Sequence, residues 1–426
     1  MQLKLCYRNS LIIAIFFTMF SQSAISEERM SSFQMVDSLV KGNTEFALNL
    51  YAKLTKKNKT KNLFFSPYSI STALAMTYAG AKGNTARQMS KVLHFPKNQD
   101  FLHPTFGLLQ KQMSELNKKT SVEIQIANAL WVQKGTAVKT SFTQELKHYD
   151  AKAAQNVDFR KSSENARLEI NNWVEDKTKQ KIKNLLQKGS LNKMTRLVLV
   201  NAIYFKGQWL NPFKKSDTKN KPFFVKRKKS VKVPMMTQKS HFNYWENDKL
   251  QVLELPYATR GKRQKPMATQ LSDSVSMIVL LPKQRNGLAQ LEKSLNPQAL
   301  EDWLAYARSM KIKVSLPKFK INAGIELSKT LSKMGMSDAF RNNKADFSGI
   351  NGKKNLSLTS VIHKAFVSVD EEGTEAAAAT GVVLGVRSIN PPPPIFTADH
   401  PFIFLIRHKS TGSILFMGRV VNPIKN

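Results

Sequence analysis

The chain has 426 residues, with 66 lysines and arginines against 30 aspartates and glutamates, a net charge of +36 and one cysteine. Its 42% of apolar and 23% of charged residues are typical of a globular protein and exclude a disordered or collagen-like chain. One cysteine excludes an internal disulfide and a thiolate metal site, so packing must stabilise the fold.

The first predicted element is a secretory signal peptide over residues 1–26. Lys4 and Arg8 precede an apolar run at 11–20, and small residues follow it, with cleavage expected before Glu27. The apolar run is shorter than the ~20 residues of a membrane-spanning helix, which disfavours a membrane anchor. We therefore expect a secreted, extracellular protein that does not enter a membrane.

Residues 27–426 are predicted to form a single domain. No linker rich in Pro, Gly or Ser, no repeat and no change of composition divides them. Cys6 would leave with the signal peptide, together with two basic residues. The mature chain would then have no cysteine, 64 basic and 30 acidic residues, and a net charge of +34.

Helical patterns dominate the first third of the domain. Apolar residues at helical spacing predict an amphipathic helix through 46–54, and 69–78, after Pro67, is typical of a buried helix. A further amphipathic helix is expected at 170–186, where the apolar positions are Trp173, Val174, Ile182 and Leu185.

Short segments rich in β-branched residues then predict strands. They are 197–200, 276–281, 312–316, 365–369, 402–406 and 414–417. The last two flank 409–412 and predict a hairpin with a four-residue connection. This mixture of elements indicates an α+β fold with extensive sheet.

No catalytic motif is recognisable. The chain has seven histidines, none paired with another at three- or four-residue spacing, and it lacks a nucleophile elbow, a Walker loop and a dinucleotide fingerprint. His363 and His400 are flanked by apolar strand sequence and are expected to be buried structural histidines. We expect neither an enzyme nor a metal site, although a dispersed catalytic triad stays open, because such triads are defined by geometry.

The segment 371–394 fits no ordinary core element. Four alanines at 376–379 lie between Gly373 and Gly381, without an amphipathic stripe. Four prolines at 391–394 favour an extended conformation and oppose sheet pairing. We therefore expect this segment to be an exposed loop.

With the period of a strand, this loop has one face of small side chains, at Thr374, Ala376, Ala378 and Thr380. Glu375 belongs to the opposite face. Extended from Gly373 to Arg387, the segment would span roughly 50 Å, the length of a domain-sized sheet. It could therefore enter a sheet as an additional strand, and a flexible Ala/Gly linker is the alternative.

Four motifs along residues 33–426 resemble the serpin family. They are NLFFSPYSIS at 62–71 followed by AGAKGNT at 79–85, LVNAIYFKGQW at 199–209, HKAFVSVDEEGTEAAAAT at 363–380 and FTADHPFIF at 396–404. The resemblance implies a serpin fold, with a large central β-sheet, additional sheets, about eight to nine helices and an exposed reactive-centre loop at about 371–394. It also implies inhibition of serine proteases, in which the cleaved loop inserts into the main sheet while the protease stays bound as an acyl-enzyme.

The resemblance also assigns roles to residues of the loop. The hinge of the loop is implied to be Glu371, Glu372, Gly373, Thr374, Glu375, Ala376, Ala377, Ala378, Ala379 and Thr380. Counting seventeen residues from Glu371, inclusively, places the reactive bond at Arg387–Ser388. Arginine there fits the acidic pocket of a trypsin-like serine protease, the expected covalent partner. Cleavage after Val386 or Val383 by an elastase-like protease is the alternative.

Four residues outside the loop are implied to control opening of the main sheet: Ser66, Asn201, Trp209 and His363. Ser66, Asn201 and His363 form a set of polar residues in the family and are not a catalytic triad. Ordinary buried hydrogen bonding is compatible with that role, because a satisfied network that must rearrange can gate a sheet.

Two rival functions remain at this point. A non-inhibitory serpin that acts as a carrier or chaperone is disfavoured by the small side chains of the hinge. A polyanion-binding serpin is favoured by three basic segments, the first basic run (53–61), the second basic run (206–232) and 260–265. We expect no cofactor other than a heparin-like polyanion or anionic glycan, no specific nucleic acid, and a monomer.

Overall fold

The computed structural model describes residues 31–96, 99–149, 154–259, 275–374 and 392–425. The predicted signal peptide lies outside the described residues. So do Glu375, Ala376, Ala377, Ala378, Ala379 and Thr380 of the predicted hinge and the predicted Arg387–Ser388 bond.

Ten α-helices lie in the described part of the chain, close to the eight to nine expected. They are α1 (Ser32–Lys57), α2 (Pro67–Tyr78), α3 (Gly83–Leu93), α4 (Gln99–Lys119), α5 (Thr140–Leu146), α6 (Phe159–Lys177), α7 (Leu288–Ser294), α8 (Pro297–Tyr306), α9 (Ser328–Met334) and the single turn α10 (Ser348–Asn351). None of the helices in these described ranges is both long and apolar enough to cross a membrane.

The first two helices begin at serine caps. Ser31 and Gln34 form a reciprocal capping box at the start of α1. The Ser66 hydroxyl accepts a hydrogen bond from the Ser69 amide at 3.1 Å, and Pro67 occupies the first turn of α2. Every residue of α2 is buried, which confirms the predicted buried helix.

The larger of the two sheets in the described ranges has nine strands. Its order is β1 (Leu63–Phe65), β15 (Ile414–Val420), β14 (Phe402–His408), β8 (Val275–Pro282), β7 (Leu250–Pro256), β6 (Lys229–Glu246), β9 (Arg308–Pro317) and β13 (Ile395–Thr397), with β5 (Lys219–Lys226) also paired to β6.

The other sheet has six strands and contains the candidate site. Its order is β10 (Phe319–Glu326), β11 (Leu358–Val369), β12 (Gly373–Thr374), β4 (Leu197–Gln208), β2 (Glu123–Gln133) and β3 (Gln155–Val157). Over most of their length β4 and β11 pair directly and in parallel, and this pair is called the seam below. The two-residue strand β12 lies between them at one end.

Both faces of the seam are covered. On one face of β4, Leu199, Ile203 and Phe205 belong to the main core, against which α2 packs. On the other face, Val198, Val200 and Ala202 pack in a second cluster with residues of α6. A strand buried on both sides reads as a continuous apolar run, which explains why the sequence predicted the start of β4 at 197–200. Along β11 buried residues alternate with less buried ones, and the sequence predicted only its last part, 365–369.

The helix predicted at 170–186 is wrong in its extent, because α6 ends at Lys177. Lys179, Gln180 and Asn184 have positive φ angles of 50°, 61° and 50°, which take the chain out of the helix. The amide of Leu186 donates to Asn171 Oδ1 at 2.8 Å, so the segment folds back along α6. The spaced apolar residues after Lys177 are buried, but they do not form a helix.

The C-terminal hairpin has the predicted strands but a longer connection. Strand β14 ends at His408 and β15 begins at Ile414, which leaves five connecting residues where four were expected. The register shifts between Ile406 and Arg407, and this irregularity takes up the additional residue.

Candidate functional site

The candidate site lies along the seam and shows no catalytic arrangement in the described residues. No group of three or more His, Cys, Asp or Glu side chains there could hold a metal ion. His363 and His400 are 0% and 5% exposed, which confirms the prediction that both are buried. The hydroxyl of Ser66 donates to the Leu415 carbonyl at 2.6 Å and does not face His363, so the two do not form a nucleophile and a base.

The structure brings Ser66, Asn201 and His363 together. Asn201 of β4 lies directly opposite His363 of β11 in the parallel register. The amide of Ser66 donates to His363 Nε2 at 3.1 Å, so the proton of the neutral ring is on Nδ1, which donates to Asn201 Oδ1. The direct side-chain link across the seam is therefore made by a neutral imidazole.

Two further residues complete this polar cluster, which consists of Ser66, Ser69, Asn128, Asn201 and His363. The side-chain amide Nδ2 of Asn201 donates to the backbone carbonyl of Ser69 at 3.1 Å and to the side chain of Asn128. Asn128 lies opposite Asn201 in the antiparallel β2–β4 register. Sequence reasoning missed Ser69 and Asn128, although an asparagine inside an apolar strand is a signal that could have drawn attention to Asn128.

The cluster connects the seam to the helix beneath it. Ser66 caps α2, donates from its hydroxyl to β15 and donates from its backbone amide to His363. The two strands of the seam and both sheets therefore share one hydrogen-bond network. A strand that enters between β4 and β11 must break the bond between His363 and Asn201. The cluster therefore adds a polar cost to any separation of these two strands.

The predicted hinge begins with a tight turn after β11. The carboxylate of Asp370 accepts from the amides of Glu372 at 3.0 Å and Gly373 at 3.3 Å. Gly373 has a φ of +152°, and a Cβ there would lie 2.0 Å from the carbonyl oxygen of Gly207. Only glycine fits this position, because both the backbone angle and the contact exclude a side chain.

Strand β12 is already inserted in the sheet. Gly373 and Thr374 pair with Gln208 and Gly207 of β4, and Thr374 also pairs with Val369 of β11. Thr374 is 0% exposed, and its hydroxyl lies 2.9 Å from the hydroxyl of Tyr257. The start of the hinge therefore forms a wedge at one end of the seam.

Trp209 packs directly against this wedge. Its backbone amide donates to the carbonyl of Glu372 at 2.9 Å, and its indole Nε1 donates to the carbonyl of Asp370 at 3.0 Å. The indole ring stacks on Tyr257, with ring centroids 4.7 Å apart. Trp209 thus lies at the hinge and not in the polar cluster, and its implied part in sheet opening stays a prediction.

Two acidic residues attach the hinge to residues in the connections next to β5, β9 and β10. Glu371 is buried and accepts from Lys318 Nζ at 2.7 Å and from the Thr218 hydroxyl at 2.8 Å. Burial alone would raise the pKa of Glu371, but these hydrogen bonds hold the pKa below its ordinary value. Lys215 lies 2.9 Å from Glu372 at the surface. Sequence reasoning missed Lys318 and Thr218, which are remote in the chain.

The comparisons with known proteins agree with this geometry. A family model described as serpin, serine protease inhibitor, matches residues 41–423. Leukocyte elastase inhibitor of Xenopus tropicalis is 42% identical over 396 residues, with 91% of this chain and 100% of that protein covered. The human protein of the same name is 40% identical over 398 residues, with the same coverage. The structure of human thyroxine-binding globulin has a TM-score of 0.80 and 33% identity, with 93% of this chain and 100% of that chain covered.

The polar cluster predicts a pH dependence of stability that depends on His363. Burial lowers the pKa of His363 to about 3 from an ordinary 6.5, so its contribution to stability is complete above pH 6.5 and declines as the pH falls towards 3. Between pH 7 and pH 5, protonation of His363 in the unfolded chain should lower the free energy of unfolding by about 2 kcal/mol. We expect urea unfolding to show that loss in the wild type and not in His363→Gln, which takes up no proton.

His103, whose pKa is also lowered by burial, is present in both proteins and cancels in the comparison. Equal changes of the urea midpoint with pH in the two proteins would contradict the prediction.

Proposed function

The chain belongs to the serpin family of serine protease inhibitors, and on that premise we propose that it inhibits trypsin-like proteases by offering Arg387–Ser388 as bait. Two of its relatives are named leukocyte elastase inhibitors. In the proposed mechanism the serine of the target protease attacks the carbonyl carbon of Arg387, and the peptide bond breaks with release of the amino group of Ser388. The ester-linked loop then enters the seam and carries the protease with it.

The single observation that carries this proposal is the wedge of β12 in the seam. Gly373 and Thr374 already form the first two residues of a strand antiparallel to β4. Further insertion extends a ladder that exists and needs no new nucleus. The backbone groups of β4 and β11 that separate then form hydrogen bonds with the entering strand, and these bonds offset the ones broken when the sheet opens.

Continuation of the observed register gives each hinge residue a place in the inserted state. From Thr374, opposite Gly207 and Val369, two-residue steps place Ala376 between Phe205 and Val367, and Ala378 between Ile203 and Ala365. Thr374 faces the main core, so residues of the same parity enter the side on which Phe205 and Ile203 pack. Small side chains there avoid overpacking, which supports insertion over a carrier function.

In the proposed inserted state, Thr380 would lie between the two central members of the polar cluster. Six residues beyond Thr374, the position is opposite Asn201 on β4 and opposite His363 on β11. A threonine hydroxyl donates one hydrogen bond and accepts others, so it replaces the direct bond between Asn201 and His363 that insertion breaks. The cluster then resists opening until the seventh residue of the strand, counted from Thr374, arrives.

Arg387 supports specificity for trypsin-like proteases, and one observation favours a second candidate. Two relatives at 40–42% identity are named leukocyte elastase inhibitors. An elastase-like protease would cleave after Val386 or Val383, which precede Arg387 in the sequence by one and four residues. We favour cleavage after Arg387, because its charge would bind the acidic pocket of a trypsin-like protease and because the seventeen-residue count from Glu371 ends on this residue.

We further propose that the chain is exported and that residues 1–26 are removed. The support is the order of charged, apolar and small residues at the start of the sequence. An extracellular inhibitor would meet secreted proteases directly. Recovery of a mature chain that begins at Glu27 from the culture medium or periplasm would test this proposal, and retention of residues 1–26 would contradict it.

The inhibitory mechanism predicts a complex with trypsin that survives boiling in SDS. We expect Arg387→Ala to slow complex formation with trypsin by ~100-fold or more, because the charged pocket loses its partner. Sequencing of the released peptide should show Ser388 as the new amino terminus. Cleavage after Arg387 without a complex would refute inhibition, and a terminus at Arg387 or Leu384 would refute trypsin-like specificity.

Thr374→Arg should convert the inhibitor into a substrate. The position is fully buried beside Tyr257, and an arginine there must bury an unpaired charge. We expect cleaved protein and free active trypsin on the gel in place of the complex. Thr374→Ser, which keeps the hydroxyl, is the matched control and should form the complex. Undiminished complex formation by Thr374→Arg would contradict insertion.

Thr380→Val should destabilise the cleaved form. Valine has the same shape without the hydroxyl, so insertion would leave the Nδ1–H of His363 and the Oδ1 of Asn201 without their hydrogen-bond partner, at a cost of about 1–3 kcal/mol. Guanidinium unfolding of the cleaved proteins measures this cost, with Thr380→Ser as the control that keeps the hydroxyl. Equal stability of cleaved wild type and cleaved Thr380→Val would show that Thr380 does not reach the cluster.

A further inference from the structure

Three lysines form a basic strip on an exposed face of β6 and β9. Lys239 of β6 lies directly opposite Lys313 of β9, and Lys311 of β9 lies directly opposite His241 of β6. All four side chains are exposed. The three lysines are called the basic strip below. They lie outside the three basic segments predicted from the sequence, of which 260–265 falls outside the described residues.

The basic strip has no acidic partner in the part of the chain that the structure describes, since no ion pair there involves its lysines. Glu254 of β7, opposite Asn243 of β6, is already engaged, because it accepts from Asn243 at 2.6 Å and lies 3.7 Å from Lys409. Glu246, at the end of β6, is paired with Lys283. Like charges directly opposite on a sheet repel, so the strip costs stability in the free protein. A negatively charged surface bound there would remove that cost.

The basic strip borders the strand that follows the predicted reactive loop. Ile395 of β13 lies opposite Lys313 in the parallel register of β13 and β9, and the Lys313 amide donates to the Pro394 carbonyl at 3.0 Å. Residues 388–394 join the proposed reactive bond to β13, and seven residues span about 25 Å at most. A protease domain of about 220 residues has a radius of gyration of about 17 Å. A protease bound at Arg387 is therefore large enough to cover the strip.

An exposed isoleucine adds an apolar contact beside these charges. Ile395 is 61% exposed, whereas the next residue, Phe396, is buried in the core. Protein interfaces combine an apolar centre with a polar and charged rim. Ile395 and Lys313 supply one of each where the loop rejoins the fold.

We propose that the basic strip is a contact surface for the target protease and selects trypsin-like proteases that carry acidic residues around the active-site cleft. This role rests on the proposed inhibition and adds to it the surface charge of the preferred partner. Arg387 determines the bond that is attacked, and the strip determines which of the proteases that cleave after arginine associates fastest. Charges at the rim of an interface act mainly on the association rate.

The small size of the strip favours a compact acidic patch over an extended polyanion. Lys311 and Lys313 are two residues apart, about 7 Å along the strand, and Lys239 lies beside them. Polyanions such as nucleic acids bind through long tracks of cations, with about 6–10 charge contacts in strong complexes. A protease surface needs only a few carboxylates to match three neighbouring ammonium groups.

Two trypsins that both cleave after arginine, one anionic and one cationic, test the proposal. The rate constant of complex formation is measured at ~20 mM and ~500 mM NaCl, where charges are screened over about 20 Å and about 4 Å. We expect the wild type to react ~10-fold faster with the anionic trypsin at low salt, because attraction to the strip raises the association rate. The difference should shrink at high salt.

Two triple variants of equal charge locate the effect. The strip variant replaces its three lysines by glutamine: Lys239→Gln, Lys311→Gln and Lys313→Gln. The matched control removes three exposed cations from or next to α3, which packs against α1 and α2: Lys82→Gln, Arg87→Gln and Lys91→Gln. With the anionic trypsin at low salt we expect the strip variant to react ~10-fold more slowly and the control to keep most of the wild-type rate. Urea unfolding should show the strip variant to be at least as stable as the wild type, because it lacks the repulsion.

Four outcomes would overturn the proposal. Equal rate losses in the two triple variants would mean attraction by net charge alone, and an unchanged rate in the strip variant would mean that the protease does not contact the strip. Equal wild-type rates with both trypsins would mean no charge selection. A strip effect that appears only when heparin is added would assign the strip to a polysaccharide. These outcomes leave inhibition intact, whereas absence of any complex at either salt would refute the proposed function and the protease contact together.

Discussion

The constraint on which this structure depends is that one pair of strands in the middle of a sheet must be closed and yet separable. Strands β4 and β11 are joined by a parallel ladder and, through His363 and Asn201, by one direct side-chain contact. A buried polar network is stable only when every member has a partner, so partial opening is costly while complete replacement is not. The seam therefore favours either the closed state or a state with an additional strand.

Two sets of contacts act on the seam at different points. In the middle, a neutral imidazole and two asparagines lock the strands and attach them to the cap of α2. At the end, Gly373 and Thr374 hold the strands apart, while Glu371 is held by Lys318 and Thr218. In the mechanism proposed above, the first set of contacts opposes insertion and the second begins it. Their balance then makes the persistence of the native state depend on an energy barrier.

The large positive charge is divided among places with different partners. Lys318 and Lys215 neutralise acidic residues of the hinge and belong to the folding of the seam. Within the described ranges, the cations at the end of α1 and at the β5–β6 turn make no ion pair with an acidic residue, and they line one surface groove. Some basic residues are therefore paired within the fold, and others face solvent. Composition alone does not distinguish the two groups.

From the sequence alone one can predict the α+β class, the buried helix α2, the main strands and the small face of the hinge, and family resemblance adds Ser66, Asn201 and His363. The features predicted from pattern are local, since burial and period depend on neighbouring residues. The folded structure is needed to show that Ser69 and Asn128 complete the cluster, that Thr374 is already inserted beside Tyr257, that Lys318 holds Glu371 and that two basic runs share a groove. These contacts join segments many tens to hundreds of residues apart, and strand register and packing, which local pattern does not encode, set their distances.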